Sequence, residues 1–362
     1  METGWQFYTR VTEAWDSMLA DIASARSFID LDQYIFEPDR IGRRFLELLI
    51  QKAKQGVRVR VICDAAGSAN LYNSGFPNLL SEAGIQIFFV NPISPWRIHN
   101  FTSWFFRDHK KILVVDGAVG HTGGVGINDR MSDWRDTNVR LTGPIVAEFA
   151  RVFRKTLEIA RRKRLAVIQN NPSLGEFGLL TSSPYLRSLR SFRYRKRYLR
   201  DLFVDKVKSA KECIYLTTPY FVPDFRLFSA LQQQARSGLD VKLVVPYTSD
   251  HLSLDIAAAS YFSLALASGI KVYRYRSHIL HAKSAVIDDW STVGSANLDN
   301  LSFWFCYEAN IYSHNQNFTQ ELKRQFEADL TESMEVKLVE WKFRPIKQKL
   351  LELLTWPAHN FM

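Results

Sequence analysis

His109-Lys110-Lys111-Ile112-Leu113-Val114-Val115-Asp116 returns later in the chain as His281-Ala282-Lys283-Ser284-Ala285-Val286-Ile287-Asp288. Both stretches read His-x-Lys-x4-Asp. A pair of small residues follows each, Gly123-Gly124 in the first copy and Gly294-Ser295, with Asn297, in the second. The mostly aliphatic positions between Lys and Asp predict a strand in each copy. Alternate residues of a strand share a face, so the His and Lys of a copy are expected to project together. Two such strands facing each other would gather two imidazoles and two ammoniums around one phosphate-sized anion. That set supplies a nucleophile, an acid and a charge clamp, with no need for a metal.

The symmetry reaches further. Asp136 lies 27 residues after His109, and Glu308 lies 27 residues after His281. A histidine that carries a proton or attacks as a nucleophile needs an acceptor on its far ring nitrogen, and these carboxylates fit that task. Asp116 and Asp288 fall at the far ends of their strands and read as supports of the lysine-bearing strands rather than proton carriers. Six residues separate Asp116 from Gly123 but only five separate Asp288 from Gly294, which predicts a tighter turn at Asp289-Trp290.

With this doubled motif the chain resembles the phospholipase D superfamily, and within it the bacterial cardiolipin synthases. Further segments carry the likeness: Asp32-Gln33-Tyr34-Ile35-Phe36, Gly56 to Val61, Thr217 to Asp224, and Gly294 to Asp299. It departs from the family where Gly126 stands in place of an asparagine after the first glycine pair; the nearest asparagine is Asn128. The resemblance implies an α/β fold of two duplicated sandwich halves with mixed sheets and an active site at their interface. It implies a catalytic set of His109, Lys111, Asp116, His281, Lys283 and Asp288, with His109 as nucleophile and His281 as acid and base. Asp136, Glu308, Ser295 and Asn297 would orient these groups or support the phosphate site. The implied reaction needs no cofactor and no obligatory metal. It transfers a phosphatidyl group between phospholipids, with phosphatidylglycerol as donor and acceptor, through a covalent phosphohistidine. The alternative within the superfamily is a metal-independent phospholipase D or a nuclease-type phosphodiesterase, with nucleic acid as its partner. A lipid-binding scaffold with a dead site is disfavoured because both motifs are intact.

The chain has 362 residues, enough for two domains, with 46% hydrophobic and 23% charged residues, as in globular proteins. Its net charge of +10 favours anionic partners, lipid headgroups or nucleic acid alike. Cys63, Cys213 and Cys306 form no C-x-x-C pair, and Cys63 and Cys213 read as core residues of a reducing compartment. Met1 to Arg10 holds no apolar run of a secretory signal. The apolar, uncharged stretch Ile256 to Ile270 is too short for a span and reads as a buried helix. Contact with anionic phospholipids would therefore be peripheral, at the cytoplasmic side of the membrane.

Strand and helix patterns alternate in both halves, with Asp39 to Gln55 and Phe225 to Ser237 as corresponding helices stopped by Gly56 and Gly238. This organisation predicts a first half over 1–165, a basic connecting segment over 166–200, a second half over 201–335 and a basic amphipathic tail over 336–362. In the connection, Asn170 to Ser183 reads as turn-rich, and Arg187 to Arg200 interleaves arginines with aromatics, which suits phosphate contacts or single-stranded nucleic acid. Trp96, Trp104, Phe105 and Phe106 precede the first motif and read as an aromatic cover over the site; His99 among them reads as non-catalytic. The tail mixes lysines with bulky apolar residues, a pattern for either a membrane surface or packing on the domain.

Overall fold

The alternation within the two His-Lys-Asp strands builds the architecture. Ile112 and Val114 enter a core shared by both halves, while Leu113 and Val115 enter a core under the first half's outer helices. In the second copy Val286 joins the shared core, and Ala285 and Ile287 face the opposite way. The computed structural model describes residues 2–92, 106–162, 166–170, 175–184 and 198–355.

The first half runs β1 (Gly4–Arg10), α1 (Val11–Ser24), β2 (Phe28–Gln33), α2 (Arg40–Lys54), β3 (Arg58–Asp64), α3 (Ala69–Tyr72), α4 (Phe76–Glu82) and β4 (Gln86–Val90). It continues through β5 (Arg107–Asp108), β6 (Lys111–Val115), β7 (Val119–Gly123), β8 (Arg135–Thr142) and α5 (Val146–Arg162). The second half runs β9 (Phe177–Ser182), α6 (Tyr198–Ser209), β10 (Cys213–Thr217), β11 (Phe221–Val222), α7 (Phe225–Arg236), β12 (Asp240–Pro246), α8 (Leu252–Ala267) and β13 (Lys271–Tyr275). It closes with β14 (Ser284–Ile287), β15 (Trp290–Gly294), β16 (Leu298–Asp299), α9 (Asn300–Trp304), β17 (Cys306–Ser313), α10 (Gln316–Thr331), β18 (Ser333–Val336), α11 (Leu338–Lys342) and α12 (Ile346–Thr355).

Each half contributes one mixed sheet, ordered β1-β8-β7-β6-β2-β3-β4 in the first and β18-β13-β12-β10-β14-β15-β17-β5 in the second. Helices α5 and α10 pack into the core between the sheets, α1 and α2 cover the outer face of one, and α6, α7 and α8 cover that of the other. The duplication extends to helix caps. The Asp39 carboxylate accepts from Gly42 N at 3.0 Å to start α2, and Asp224 accepts from Leu227 N at 2.9 Å to start α7.

Several expectations are corrected. Part of the turn-rich stretch forms β9, which pairs antiparallel with β17 and so belongs to the second sheet. β1 was not anticipated; it pairs antiparallel with β8 at a sheet edge. Phe106 is buried and stacks on Phe305, so it packs in the interior instead of covering the site. Arg200 is buried too, in ion pairs with Asp201 and Asp224, and presents no surface to a nucleic acid. Trp96, His99, Trp104, Phe105 and Arg187 to Arg197 lie outside the described residues. The three cysteines are free and buried. No described helix is long and apolar enough to cross a membrane, and the long uncharged stretch lies largely within α8, which buries Ala257, Ala258, Tyr261, Phe262 and Ala265.

Candidate active site

Each histidine precedes its strand, in an extended segment that pairs with the opposite half. β5 runs parallel to the start of β17, and His109 N donates to the Tyr307 carbonyl at 3.0 Å. Reciprocally, Leu280 bridges Arg135, and His281 N donates to the Arg135 carbonyl at 2.7 Å. Each ring is thereby delivered to the strand that carries the other half's carboxylate. His109 Nδ1 lies 3.0 and 3.1 Å from the two oxygens of Glu308, and His281 Nδ1 lies 2.7 Å from Asp136 Oδ2. Equal spacing singled out these carboxylates; the fold pairs them crosswise. A carboxylate on Nδ1 fixes the tautomer and turns Nε2 of both rings towards chemistry.

The small-residue pairs explain themselves here. A Cβ on Gly124 would fall 2.2 Å from Asp136 Oδ1, so only glycine lets that carboxylate lie where it reaches His281. At the corresponding place in the second copy, Ser295 Oγ donates to Glu308 Oε2 at 2.5 Å and accepts from Ala309 N at 3.0 Å. Ser295 therefore holds Glu308. Asn297 is buried, its backbone N–H is taken by Ser302 Oγ, and its Oδ1 has no partner.

Both lysines are almost wholly buried, and each Nζ donates to the carbonyl of its own histidine, Lys111 to His109 at 2.8 Å and Lys283 to His281 at 2.5 Å. Burial pushes Lys111 down to about 7, against the pull of Glu308 and with a further push from Lys283. Burial takes Lys283 to about 8, against Asp136, Asp250 and Glu308. Burial and then the Lys283 charge bring His281 to about 4 despite Asp136. Burial lowers His109 as well, against Glu308. Lys111 and Lys283 each feel groups of both halves, so the two motifs share one electrostatic site. Burial thus favours the neutral form of His281 and weakens the hold of both lysines, Lys111 most, on their protons. An arriving phosphodiester anion favours protons on the lysines and on an imidazole, which loads the site for acid catalysis.

Asp116 and Asp288 stand apart from this centre. Asp116 accepts from the backbone N–H groups of Arg26, Ser27 and Phe28 at 2.7–2.8 Å, and Asp288 from those of Lys211, Glu212 and Cys213 at 2.8–3.0 Å. Each clamps the start of the neighbouring strand, β2 or β10, from a left-handed turn position at φ 53° or 52°. These backbone contacts fit the expected role of supports rather than proton carriers, for two residues that the resemblance places in the catalytic motif. The turns differ as the spacing predicts. Val115 pairs with Val119 across three residues, while Ile287 pairs with Trp290 across two.

Sequence reasoning missed the rings that wall the site. Tyr34 lies edge-on to His109 at 4.7 Å between centroids; Trp134 and Tyr220 lie 5.2 and 6.5 Å from His281. Tyr220 donates to Asp250 Oδ1 at 2.5 Å. Tyr34 and Tyr220 occupy matching places, each just before a short extended piece with a parallel partner (Phe36 with Ile127, Phe221 with Leu298), and the likeness of Gln33 to Phe36 with Pro219 to Val222 was the available signal. Lys110, between the motif's His and Lys, was also passed over. It is fully buried and paired with Asp108 and, at 3.4 Å, with Asp32. Asp64 Oδ2 accepts from Asp108 N at 2.9 Å and so fixes the segment that leads to His109. Among the described residues no cluster of three or more His, Cys, Asp or Glu side chains is arranged to hold a metal ion.

A family model described as "Cardiolipin synthase, PLD-like domain" (PLD, phospholipase D) matches residues 18–157 and 203–330. Cardiolipin synthase 1 of Staphylococcus aureus is 32% identical over 354 residues, which span 94% of this chain and 70% of the relative. The major cardiolipin synthase of Bacillus subtilis is 31% identical over 363 residues, spanning 95% of this chain and 73% of the relative. Among solved structures, the phosphatidylserine synthase of Haemophilus influenzae superposes with a TM-score of 0.71 at 14% identity, covering 99% of this chain and 94% of that one, and so shares the fold. The chain belongs to the phospholipase D superfamily, in its cardiolipin synthase family.

Proposed function

We propose that this chain transfers a phosphatidyl group from one phosphatidylglycerol to the glycerol headgroup of another, at the face of an anionic membrane, with His109 as nucleophile. It is a phosphatidyltransferase of the cardiolipin synthase type. The observation that carries the mechanism is the crosswise pairing of His109 with Glu308 and of His281 with Asp136, which engages Nδ1 of each ring and supports a reading in which both Nε2 atoms serve one phosphoryl group between Lys111 and Lys283.

Nε2 of His109 attacks phosphorus. The bond from phosphorus to the headgroup oxygen breaks, and His281 gives that oxygen its proton, so glycerol leaves and a phosphohistidine remains. His281, now neutral, takes the proton of an incoming headgroup hydroxyl. The hydroxyl oxygen attacks phosphorus, and the phosphorus–nitrogen bond breaks to release cardiolipin and restore His109. Lys111 and Lys283 neutralise the non-bridging oxygens in both steps. Glu308, held by Ser295, and Asp136 stabilise the charged rings as they form.

Mass spectrometry of lipids after incubation with phosphatidylglycerol vesicles tests the reading, with cardiolipin and free glycerol as expected products. Degradation of single-stranded DNA with no lipid product would overturn it. The nucleophile is tested with a phosphodiester of p-nitrophenol, whose leaving group needs no proton. His281→Ala should release about one equivalent of nitrophenol and stall as phosphoenzyme, whereas His109→Ala should release none. The reverse pattern would exchange the two roles.

A further inference from the structure

The two C-terminal helices are mounted inside out. Among the described side chains of α12, Glu352 is buried and Gln348, one turn before it, half-buried; Leu351 is 38% exposed, and Ile346, Leu350, Leu353 and Leu354 are 56–75% exposed. Just before it, Val339 of α11 and Phe343 are 69% and 84% exposed. The inward face is fastened by polar contacts. The Arg344 guanidinium grips the Glu352 carboxylate, with Nε at 2.9 Å from Oε1 and a terminal nitrogen at 2.5 Å from Oε2. Gln348 Nε2 donates to Glu352 Oε1 at 3.0 Å. Beneath them the buried Trp341 packs on Phe262 of α8 at 5.3 Å, with Arg344 over its ring at 4.9 Å. An ordinary surface helix buries its apolar stripe and shows its charges; this one does the opposite.

We propose that α11 and α12 form a docking surface for an anionic lipid bilayer. Charge complementarity selects that occupant. Between Lys337 and Thr355 stand five basic side chains against two acidic ones; the Arg344–Glu352 pair cancels, which leaves four lysines against Glu340. Lys337, Lys342, Lys347 and Lys349 are exposed beside the outward leucines. Apolar residues for the acyl boundary and lysines for the headgroups are what an in-plane helix needs. A second copy of the same surface would instead bring lysine against lysine. Position agrees as well. Both helices pack on α8, and the residue just before α8, His251, has its ring 5.8 Å from that of Tyr220, itself 6.5 Å from His281. Leu252, the first residue of α8, is 70% exposed. The docking surface and the wall of the active site thus lie along one helix about 24 Å long.

The inference deepens the lipid reading of the active site and is tested separately from it. Co-sedimentation is measured with vesicles of phosphatidylcholine alone and of phosphatidylcholine with phosphatidylglycerol. The wild type should bind the mixed vesicles, and Leu350→Glu with Leu354→Glu should weaken that binding at least tenfold. Lys347→Glu with Lys349→Glu should weaken it by roughly fivefold or more per lysine and flatten its salt dependence. All four positions are exposed, so turnover of the soluble nitrophenyl diester should stay at the wild-type rate and report an intact fold. Unchanged vesicle binding by the leucine variant overturns the docking surface, and does so even if cardiolipin is still made from detergent-dispersed phosphatidylglycerol. A wild-type dimer that this variant turns into a monomer, with vesicle binding unchanged, assigns the face to a second copy instead. Normal docking without any lipid product would leave the surface standing and remove the proposed substrate.

Discussion

Replacing Lys111 by methionine should make the protein more stable while disabling it. The ammonium is held at about 7 where a free lysine stands at 10.5, because burial outweighs the attraction of Glu308. At about 1.36 kcal/mol per pKa unit, holding that charge in the folded site costs up to roughly 5 kcal/mol at or below pH 7. Methionine keeps the length and apolar stem and removes the charge. It also strips the His109 carbonyl of its donor, which costs about 1 kcal/mol, and it frees His109 to take up a compensating proton. A net gain of about 2–4 kcal/mol remains. For 362 residues at about 2.1 cal/mol/K each, that is a rise in Tm of about 3–5 °C.

The pH dependence gives the sharper check. The folded-state pKa lies below the unfolded one, so between about pH 7 and 10.5 the unfolded chain binds this proton more tightly. Wild-type stability therefore rises across that window relative to the variant. The gap in Tm is widest at pH 7 and below, and it closes by about pH 10. Activity should move the other way, with loss of one charge clamp costing about 10²–10³ in kcat. Calorimetry of both proteins at pH 6.5, 8 and 9.5, beside turnover of a soluble phosphodiester, provides the assay. A variant that melts below wild type at pH 6.5, or a gain independent of pH, would refute the burial argument.

The remaining predictions follow from the same geometry. Wild-type kcat/KM should fall as pH rises past about 7–8, where Lys111 and Lys283 lose their protons; a plateau to pH 10 would show that the lysine charges are not used. Glu308→Gln and Asp136→Asn should each lower kcat by about 10²–10⁴ with little change in KM, through loss of the charge that fixes the tautomer and stabilises the charged ring, and steady-state kinetics would read it. Asp116→Ala removes three backbone hydrogen bonds far from the histidines, so it should cost about 2–3 kcal/mol in denaturant unfolding and leave the pH profile of the folded fraction unchanged. Turnover should survive EDTA, since the lysines and histidines supply the charge that a metal would bring; complete loss restored by a divalent ion would argue otherwise.

What could be read in the sequence was what the duplication wrote twice along the chain. Two octads, two carboxylates at equal distance and two helix–strand series gave the doubled α/β plan and the list of charged groups. What escaped was contact between halves, which leaves no local pattern. Asp136 and Glu308 were found by spacing, yet their crosswise pairing depends on β5 joining β17, a strand of two residues too short to register as a period. The same pairing takes the end of the aromatic run inward and buries Phe106, a residue expected at the mouth. β9 was missed because Asn170 to Gly175 looks like a chain of turns, and only the open edge of β17 makes the following residues a strand. Lys110 was passed over because a lysine beside a lysine reads as solvated; its burial and its pairing with Asp32 of β2 are tertiary facts. The tail held two readings open because its periodicity shows an apolar face but not which way that face is mounted.

The crosswise pairing gives the duplication its chemical reason. Within one half, a histidine and lysine are present, but the acceptor for that histidine's Nδ1 is absent; it stands on the other half's strand. Neither half holds an oriented imidazole alone. Separating the halves would leave Asp136 and Glu308, both buried, without the rings that compensate them, and a lone buried carboxylate is costly. The same hydrogen bonds that set the tautomers therefore also help to hold the two sheets in register, through the backbone pairs of His109 with Tyr307 and His281 with Arg135. Substitution of either carboxylate should then loosen the interface as well as slow the chemistry. Glu308→Gln, which can still bond the ring, should spare the interface and lose mainly rate, whereas Glu308→Ala should lose both. A matched Tm for the two variants would show that the pairing orients the ring without contributing to assembly of the site.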